Sequence, residues 1–262
     1  MFVDKAHLFL LVLKHMYESG VKDAENLDRL LEKHGVRRGA DILELGCGIG
    51  RVAIPLAKKG YKVTCLDISD TYINEAKSRA QSEGVEKTLN AIVADAWRID
   101  EIFPENRFDA VYMIWTTLIG YHKEKEKDIE LLKKIHRITK PNGLLAILRT
   151  VNRDLVLARR ICEKGDIPVI SEWEDILVIE RPEFDGVNSL LKNKWEYYRR
   201  ENRDLKFIGE HEFTLRIYSI NELIDLAVEA GWRLEAAYHD LVEFKEYIPG
   251  RSGINIVLRK PA

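Results

Sequence analysis

The sequence predicts an α/β fold in which a doubly wound, mostly parallel seven-stranded sheet carries an inserted lid of antiparallel strands. Short apolar runs alternate with helical patterns between residues 41 and 148, which is typical of parallel strands with helices on both faces. The alternation breaks over residues 151–218 and resumes at Ser219. The turns after the first three strands carry glycine or aspartate, which is typical of a ligand site at the carboxyl edge of such a sheet.

The individual elements follow from apolar spacing and from stop signals. The predicted strands of the main sheet are 41–45, 61–66, 89–94, 108–114, 144–148, 232–241 and 254–259. The predicted helices are 2–18, 24–35, 51–59, Ser69 to Gly84, 123–140 and 221–230, with Gly20 ending the first and Gly35 the second. This gives one domain of residues 1–150 and 219–262, interrupted by a lid subdomain of residues 151–218.

The lid is predicted to contain a helix and three antiparallel strands. The helix covers 153–164, and partial period-two patterns predict strands at 176–179, 195–199 and 213–217. Basic and aromatic residues mix in Lys192–Arg200, as they do on RNA-binding faces. A strand with one packed side and one solvated side explains the same pattern without RNA.

Composition excludes several classes of protein. The 262 residues are 46% apolar, and 41 Lys plus Arg nearly balance 43 Asp plus Glu, giving a net charge of −2. This excludes a disordered chain and the strong basic field typical of nucleic-acid binders. No apolar run reaches the ~18–20 residues that span a bilayer. Cys47, Cys65 and Cys162 show no paired spacing, so reduced thiols and a cytoplasmic location are expected.

The segment Glu44–Gly50 joins the first strand to a helix through three glycines. Glycine permits a tight turn and the close approach of a ligand to the backbone, although a plain strand-to-helix turn is the alternative. Arg51 stands where a dinucleotide fingerprint usually has its third glycine, so no smooth pyrophosphate cradle is expected. The Glu44 carboxylate would repel a phosphate and suits a cationic ligand.

Two aspartates end the next two strands. Asp67, followed by Ile68, lies where a carboxylate can accept both hydroxyls of a ribose; a helix N-cap or a surface acid is the alternative. Asp95 and the backbone N–H of Ala96 are placed to read the edge of an adenine ring, and Trp97 either covers that ring or belongs to the core. The implied ligand has an adenosine half and a cationic end, as S-adenosylmethionine does.

These segments, together with Lys140–Leu145, resemble the successive motifs of the class I S-adenosylmethionine-dependent methyltransferases. The resemblance covers residues 36–150 well and 219–260 loosely, and it implies a sheet whose last strand is antiparallel. It also implies that the glycine loop passes the methionine moiety, that Asp67 binds ribose, and that a residue after the fourth strand, Met113 or Ile114, flanks the methionine. The implied cofactor contacts are Glu44, Gly46, Cys47, Gly48, Asp67, Ile68, Asp95, Ala96 and Met113.

The segment Met113–Thr117 departs from the Asn/Asp-Pro-Pro-aromatic signature of enzymes that methylate base amines, which argues against that acceptor. Methyl transfer needs no metal, and none is expected. His122 is a candidate general base, with a surface or helix-start histidine as the alternative.

Four residues near the same edge are candidates for contact with the substrate. Trp115 and Tyr121 line an acceptor pocket or serve as packing. Arg149 and Asn152 grip an acidic substrate, or Asn152 caps the next helix.

The sequence therefore predicts an S-adenosylmethionine-dependent methyltransferase with a small-molecule acceptor. Neither nucleic acid nor a membrane is expected as a partner. The alternatives are a methyltransferase directed at RNA or protein, a nucleotide-dependent oxidoreductase, and a module that binds the adenosyl cofactor without turnover.

Overall fold

The computed structural model describes residues 3–115, 118–163 and 165–262, without the side chain of Glu163. Five positions of the predicted elements fall outside these residues. Met1 and Phe2 bound the predicted N-terminal segment, Thr116 and Thr117 belong to the turn after the fourth strand, and Lys164 ends the predicted lid helix.

The described strands form two separate sheets. In chain order they are β1 (Asp41–Leu45), β2 (Lys62–Asp67), β3 (Leu89–Val93), β4 (Phe108–Ile114), β5 (Thr139–Thr150), β6 (Val169–Glu172), β7 (Ile176–Asp185), β8 (Leu190–Glu201), β9 (Asp204–Arg216), β10 (Arg233–Asp240), β11 (Lys245–Glu246) and β12 (Ile254–Arg259).

The helices lie before, between and beside these strands. They are α1 (Ala6–His15), α2 (Tyr17–Lys33), α3 (Ala53–Lys58), α4 (Asp70–Ser82), α5 (Ile99–Ile102), α6 (Lys125–Ile138), α7 (Arg153–Glu163) and α8 (Ile220–Glu229), with a 3-10 turn at Ala96–Arg98. None of the helices in the described part of the chain combines the length and the apolar character that crossing a membrane takes.

The main sheet has the order β11-β10-β12-β5-β4-β1-β2-β3. Strands β1 to β5 pair in parallel, whereas β12 is antiparallel to both β5 and β10. The doubly wound α/β prediction is confirmed. The eighth strand, β11, is a two-residue addition at the sheet edge that the sequence pattern did not indicate.

This sheet is buried on both faces, and each face carries its own hydrophobic cluster. The strands β1, β2 and β4 are accordingly almost wholly buried. Right-handed crossovers put the carboxyl ends of β1 to β4 at one edge. That edge holds the glycine loop and both aspartate turns.

The second sheet lies within the predicted lid, residues 151–218, and keeps that name below; it has four antiparallel strands in the order β6-β7-β8-β9. The sequence predicted three shorter strands, because only the apolar parts of each strand produced a signal. Charged residues alternate along the outer face of β9 and masked its first half, whereas β6 is an exposed edge strand of only four residues. The inner face carries Trp195 and Tyr197 of β8 and packs on α1 through Leu8 and Val12.

Gly20 corrects one predicted boundary. It lies inside α2 and does not end the first helix. A side chain at this position would meet the backbone oxygen of Arg51 at 2.6 Å. The glycine therefore allows α2 to approach the loop that follows β1, and the pattern that suggested a stop reflects close packing.

Candidate active site

A cavity of about 270 Å³ lies where the carboxyl edge of the main sheet meets the lid. Its walls come from the turns after β1 to β4, from α1 and from the inner face of β8 and β9. Pockets at this edge of a doubly wound sheet are the usual ligand sites of such folds. The lining residues are Phe9, Leu13, Glu44, Gly46, Cys47, Gly48, Arg51, Leu66, Asp67, Ile68, Tyr72, Ala94, Asp95, Ala96, Trp97, Ile114, Trp115, Leu118, Tyr121, Trp195, His211 and Phe213.

The glycine loop and Asp67 form one hydrogen-bonded unit. Gly46 and Gly48 have positive φ values of 70° and 55°, which a residue with a side chain adopts only with strain. The Gly48 N–H donates to Asp67 Oδ2 at 2.8 Å, and the Ser69 N–H donates to Asp67 Oδ1 at 2.9 Å. Burial raises the pKa of Asp67, while these N–H groups act to lower it. Each carboxylate oxygen keeps a lone pair for a ligand hydroxyl.

Glu44 lies buried beneath the loop. Tyr112 Oη donates to Glu44 Oε2 at 3.1 Å. Burial raises the pKa of Glu44 to about 8, although Arg51 and Tyr112 act in the opposite direction. A cationic ligand in the cavity would favour the ionised carboxylate, so this residue can respond to the charge of what binds there.

The turn after β3 offers backbone and ring groups to the cavity. Asp95 Oδ1 accepts from the Trp97 N–H at 2.9 Å, which caps the 3-10 turn. Ala96 is buried. The indole Nε1 of Trp97 is buried and has no partner among the described residues. A ring edge with acceptor atoms, such as a purine, is the kind of group that this turn can bind.

Arg51 closes the sheet side of the cavity. Its guanidinium lies 4.2 Å from the centre of the Trp115 ring, and its Nη1 donates to Asp23 Oδ2 at 3.2 Å. Asp23 also accepts from Arg149 Nη1 at 2.5 Å. Trp115 has a φ of +71°, a strained conformation for a non-glycine residue that is commonest at functional sites.

The lid contributes the opposite, aromatic wall. Trp195 and His211 form a cross-strand pair on β8 and β9, with ring centroids 5.6 Å apart. Phe213 stacks on His211 at 5.8 Å, and Phe9 of α1 lies 5.5 Å from Trp195. His211 is 5% exposed, and burial, with a contribution from Lys5, lowers its pKa to about 4. The imidazole is therefore neutral at physiological pH.

A larger second cavity of about 750 Å³ lies beyond Trp115 and Trp195, which line both cavities. Its walls include Arg149, Glu180 and Asp240, so it is the more polar of the two. The two tryptophans therefore lie between the first cavity and a larger, more polar one.

Most of the predicted cofactor residues meet around the first cavity. Those that line it are Glu44, Gly46, Cys47, Gly48, Asp67, Ile68, Asp95 and Ala96, and the predicted substrate residues Trp115 and Tyr121 line it as well. Met113 does not, because alternation along β4 turns it into the core while Ile114 faces the cavity.

Three other candidates lie elsewhere. His122 is exposed and packs edge-on against Trp97 at 4.5 Å, outside the lining. Arg149 lines only the second cavity. Asn152 is fully buried, accepts from the Leu155 N–H at 2.8 Å and donates to the Ser252 carbonyl, so it acts as the cap of α7, and the structure does not bring it to either cavity.

The cysteines require a correction. Cys47 and Cys65 form a disulfide between the glycine loop and β2, and Cys162 is free. Their separation of 18 residues showed no motif, because the pairing depends on adjacent parallel strands. The expectation of three reduced thiols is therefore wrong, and with it goes the main support for the predicted cytoplasmic location.

His211 and Phe213 were missed as site residues. The available signal was the period-two pattern Gly209, His211, Phe213, Leu215, which extends the predicted strand backwards. Glu210 and Glu212 interrupted the apolar run and concealed it.

Comparison with known proteins agrees with this geometry. Residues 42–143 match the family model described as a methyltransferase domain. A sterol 24-C-methyltransferase of Gibberella zeae is 29% identical over 140 residues, which is 50% of this chain and 35% of that protein. The chain thus spans about a third of the length of the curated sterol methyltransferases that it matches.

Solved structures are similar over nearly the whole chain. The CcbJ methyltransferase of Streptomyces caelestis superposes with a TM-score of 0.76 at 20% identity, covering 95% of this chain and 96% of that one. CalS10 of Micromonospora echinaspora, an amino pentose methyltransferase with bound S-adenosylmethionine, gives 0.69 at 14% identity over the same shares of the two chains. At these identities the similarity shows the fold.

Residues 42–143 thus match a methyltransferase domain, and the chain has the Rossmann-like fold of solved methyltransferases. The match agrees with the S-adenosylmethionine-dependent methyltransferase that the motifs predicted. It also supports S-adenosylmethionine, the predicted cofactor.

Proposed function

We propose that this protein transfers the methyl group of S-adenosylmethionine to an uncharged small-molecule acceptor. One observation carries the proposal: a single cavity joins the glycine loop, Asp67 and Ala96 at one end to an aromatic lid at the other. When bound, S-adenosylmethionine supplies a methyl group already activated on a positively charged sulfur.

The residues present fit this cofactor. Gly46 and Gly48 leave room for close approach to the backbone, and Asp67 has free lone pairs for ribose hydroxyls. The Ala96 N–H and the unpartnered Trp97 indole can meet the edge of the adenine ring. Glu44 is positioned to neutralise a cationic end.

The acceptor end of the cavity is enclosed by rings. Phe9, Trp195 and Phe213 exclude water from it, and Trp115 separates it from the second cavity. Holding two reactants in line is worth roughly 7–11 kcal/mol, which is the main contribution that methyl transfer requires of a protein.

Comparisons support a small-molecule acceptor, because relatives are named for sterols and an amino pentose. An RNA acceptor would need a basic face, and the net charge of −2 does not favour one. For an oxidoreductase, Arg51 would have to leave its buried contacts with Asp23 and Trp115 to open a pyrophosphate cradle. The cytoplasmic location remains a prediction that cell fractionation tests.

Calorimetry with S-adenosylmethionine, S-adenosylhomocysteine and NADH tests the cofactor half of the proposal. We expect saturable binding of the first two ligands and none of NADH. Release of S-adenosylhomocysteine in the presence of small hydroxylated and amine compounds, compared with tRNA and protein acceptors, tests the other half. Binding of NADH alone, or turnover only with the macromolecules, would contradict it.

A further inference from the structure

The aromatic wall of the lid contains buried polar atoms without partners. Both ring nitrogens of His211 are buried and have no hydrogen-bond partner among the described residues, and the same is true of Trp195 Nε1. Both side chains line the cavity. Native proteins pair nearly all buried polar atoms, so a pair of unsatisfied rings on one wall points to a bound group that satisfies them.

The distribution of charged side chains around the cavity limits the kind of group that can bind to these rings. The charged side chains of the lining, Glu44, Arg51, Asp67 and Asp95, all come from the main sheet. The described lining residues of α1 and the lid are Phe9, Leu13, Trp195, His211 and Phe213, and none of them carries a charge at neutral pH. A charged acceptor group would lie here without a counter-ion, which is costly in a buried site.

The hydrogen-bonding capacity of the two rings limits the kind of group that can bind here still further. A neutral imidazole has one accepting nitrogen, whereas the indole of Trp195 can only donate. A hydroxyl group both donates and accepts, so one hydroxyl can donate to the accepting nitrogen of His211 and accept from Trp195 Nε1. Their centroids are 5.6 Å apart, which allows one oxygen to contact both. The flanking aromatic faces of Phe9 and Phe213 suit a flat ring.

We propose that His211 and Trp195 bind the hydroxyl group of an uncharged ring compound, and that His211 accepts the proton of this hydroxyl during O-methylation. This inference rests on the proposed function and adds the acceptor class and the base. The hydroxyl oxygen forms the new bond to the methyl carbon, the carbon–sulfur bond breaks, and its electron pair remains on sulfur. The proton passes from oxygen to the imidazole and then to water.

The test uses phenol and toluene, which have the same shape and differ in the hydroxyl group. Their dissociation constants are measured by NMR titration of the full chain saturated with S-adenosylhomocysteine, with the His side-chain nitrogens labelled. We expect phenol to shift the His211 nitrogens. We expect the ratio of the two dissociation constants to change by about tenfold or more, against phenol, in His211→Phe.

Matched variants separate recognition from folding. His7→Phe, at an exposed position of α1 outside both cavities, should leave the ratio unchanged, and His211→Gln, which keeps a hydrogen-bonding group, should retain part of the preference for phenol. Affinity for S-adenosylhomocysteine should be the same in all three variants and reports an intact cofactor site. If His211→Phe loses that affinity through misfolding, the inference is tested instead by whether phenol shifts the His211 nitrogens of the wild type.

Two results would overturn the inference: a ratio unaltered by His211→Phe, or phenol binding that leaves the His211 nitrogens unshifted. Failure of S-adenosylhomocysteine to bind the wild type would instead contradict the proposed function. The two failures are therefore distinguishable.

Discussion

The sheet edge and the lid differ in whether their buried polar groups have hydrogen-bond partners within the protein. At the sheet edge, the carboxylates of Glu44 and Asp67 each accept a hydrogen bond within the protein. On the inner face of the lid, His211, Trp195 Nε1 and the hydroxyl of Tyr197 have no partner among the described residues. An unsatisfied buried group costs about 1–3 kcal/mol.

The difference shows which half is organised before a ligand binds. The sheet edge is held by its own backbone N–H groups and by the disulfide, so its polar groups are in place before a ligand binds. The lid face lacks such internal bonds, and two of its unpaired side chains, His211 and Trp195, line the cavity, where an acceptor can satisfy them. Trp97, which also lines the cavity, is the exception at the sheet edge, because its Nε1 has no partner among the described residues.

The largest expected effect concerns the disulfide that braces the sheet edge. Reduction should lower the free energy of unfolding by about 3 kcal/mol, because the Cys47–Cys65 bridge closes a loop of 18 residues in the unfolded chain. Denaturant unfolding with and without a reductant measures this. A thiol count in denaturant is the control: it should find one reactive thiol, Cys162, and three would contradict the pairing.

The next largest effect is expected on cofactor binding when Asp67 is substituted. Asp67→Ala should weaken S-adenosylhomocysteine binding by about tenfold or more, because it removes a charge-assisted hydrogen bond of ~1.5–3 kcal/mol and releases the Gly48 and Ser69 N–H groups. Calorimetry measures the affinity.

Asp67→Asn serves as the matched control for this effect. It keeps the side-chain shape and should lose less affinity than the alanine variant. Unchanged binding in Asp67→Ala would refute the ribose role.

The sequence predicted best the features that are encoded in short, local patterns of residues. The glycine loop and the turns at Asp67 and Asp95 are local patterns, and they indicated both the fold and the cofactor end. Trp195 and His211 lie on neighbouring strands of the β8–β9 hairpin, and Glu210 and Glu212 interrupt the apolar pattern around His211. The Cys47–Cys65 pairing depends on the adjacency of β1 and β2 in the sheet, which no local pattern shows.

Helix α6 shows a related limit. A helix that is rich in charged residues usually presents them to solvent, yet Asp128 of α6 is fully buried. Its carboxylate accepts from Tyr218 Oη at 2.6 Å and from the Gly120 N–H at 3.0 Å. Both partners lie outside the helix, so no helical periodicity could identify this residue as part of the core.

Two tyrosines give a direct comparison of the paired and the unpaired region. Tyr218→Phe should lower the free energy of unfolding by about 1–3 kcal/mol, because buried Asp128 loses a partner. Tyr197→Phe should change it by less than about 0.5 kcal/mol or increase it, since the lost hydroxyl has no partner among the described residues. Urea unfolding measures both variants, and equal losses would contradict the distinction between the regions.

The smallest effect expected is a pH dependence of cofactor binding that originates at Glu44. Its pKa is raised to about 8, so below this pH the free protein holds Glu44 mainly protonated. A cationic ligand favours the carboxylate and lowers its pKa, so binding releases part of this proton at pH values between the pKa of the bound protein and that of the free protein, and affinity should fall as the pH drops below 8. Each unit by which the ligand lowers the Glu44 pKa is worth about tenfold in affinity there, and we expect about one unit. Calorimetry with S-adenosylmethionine near pH 6 and pH 8.5 measures the affinity, and calorimetry near pH 7.5 in buffers of different ionisation enthalpy measures the released proton. Glu44→Gln should abolish the proton release and flatten the profile. Equal affinity of the wild type at both pH values would show that the cation binds away from this carboxylate, and that the charge at the sheet edge is not part of cofactor recognition.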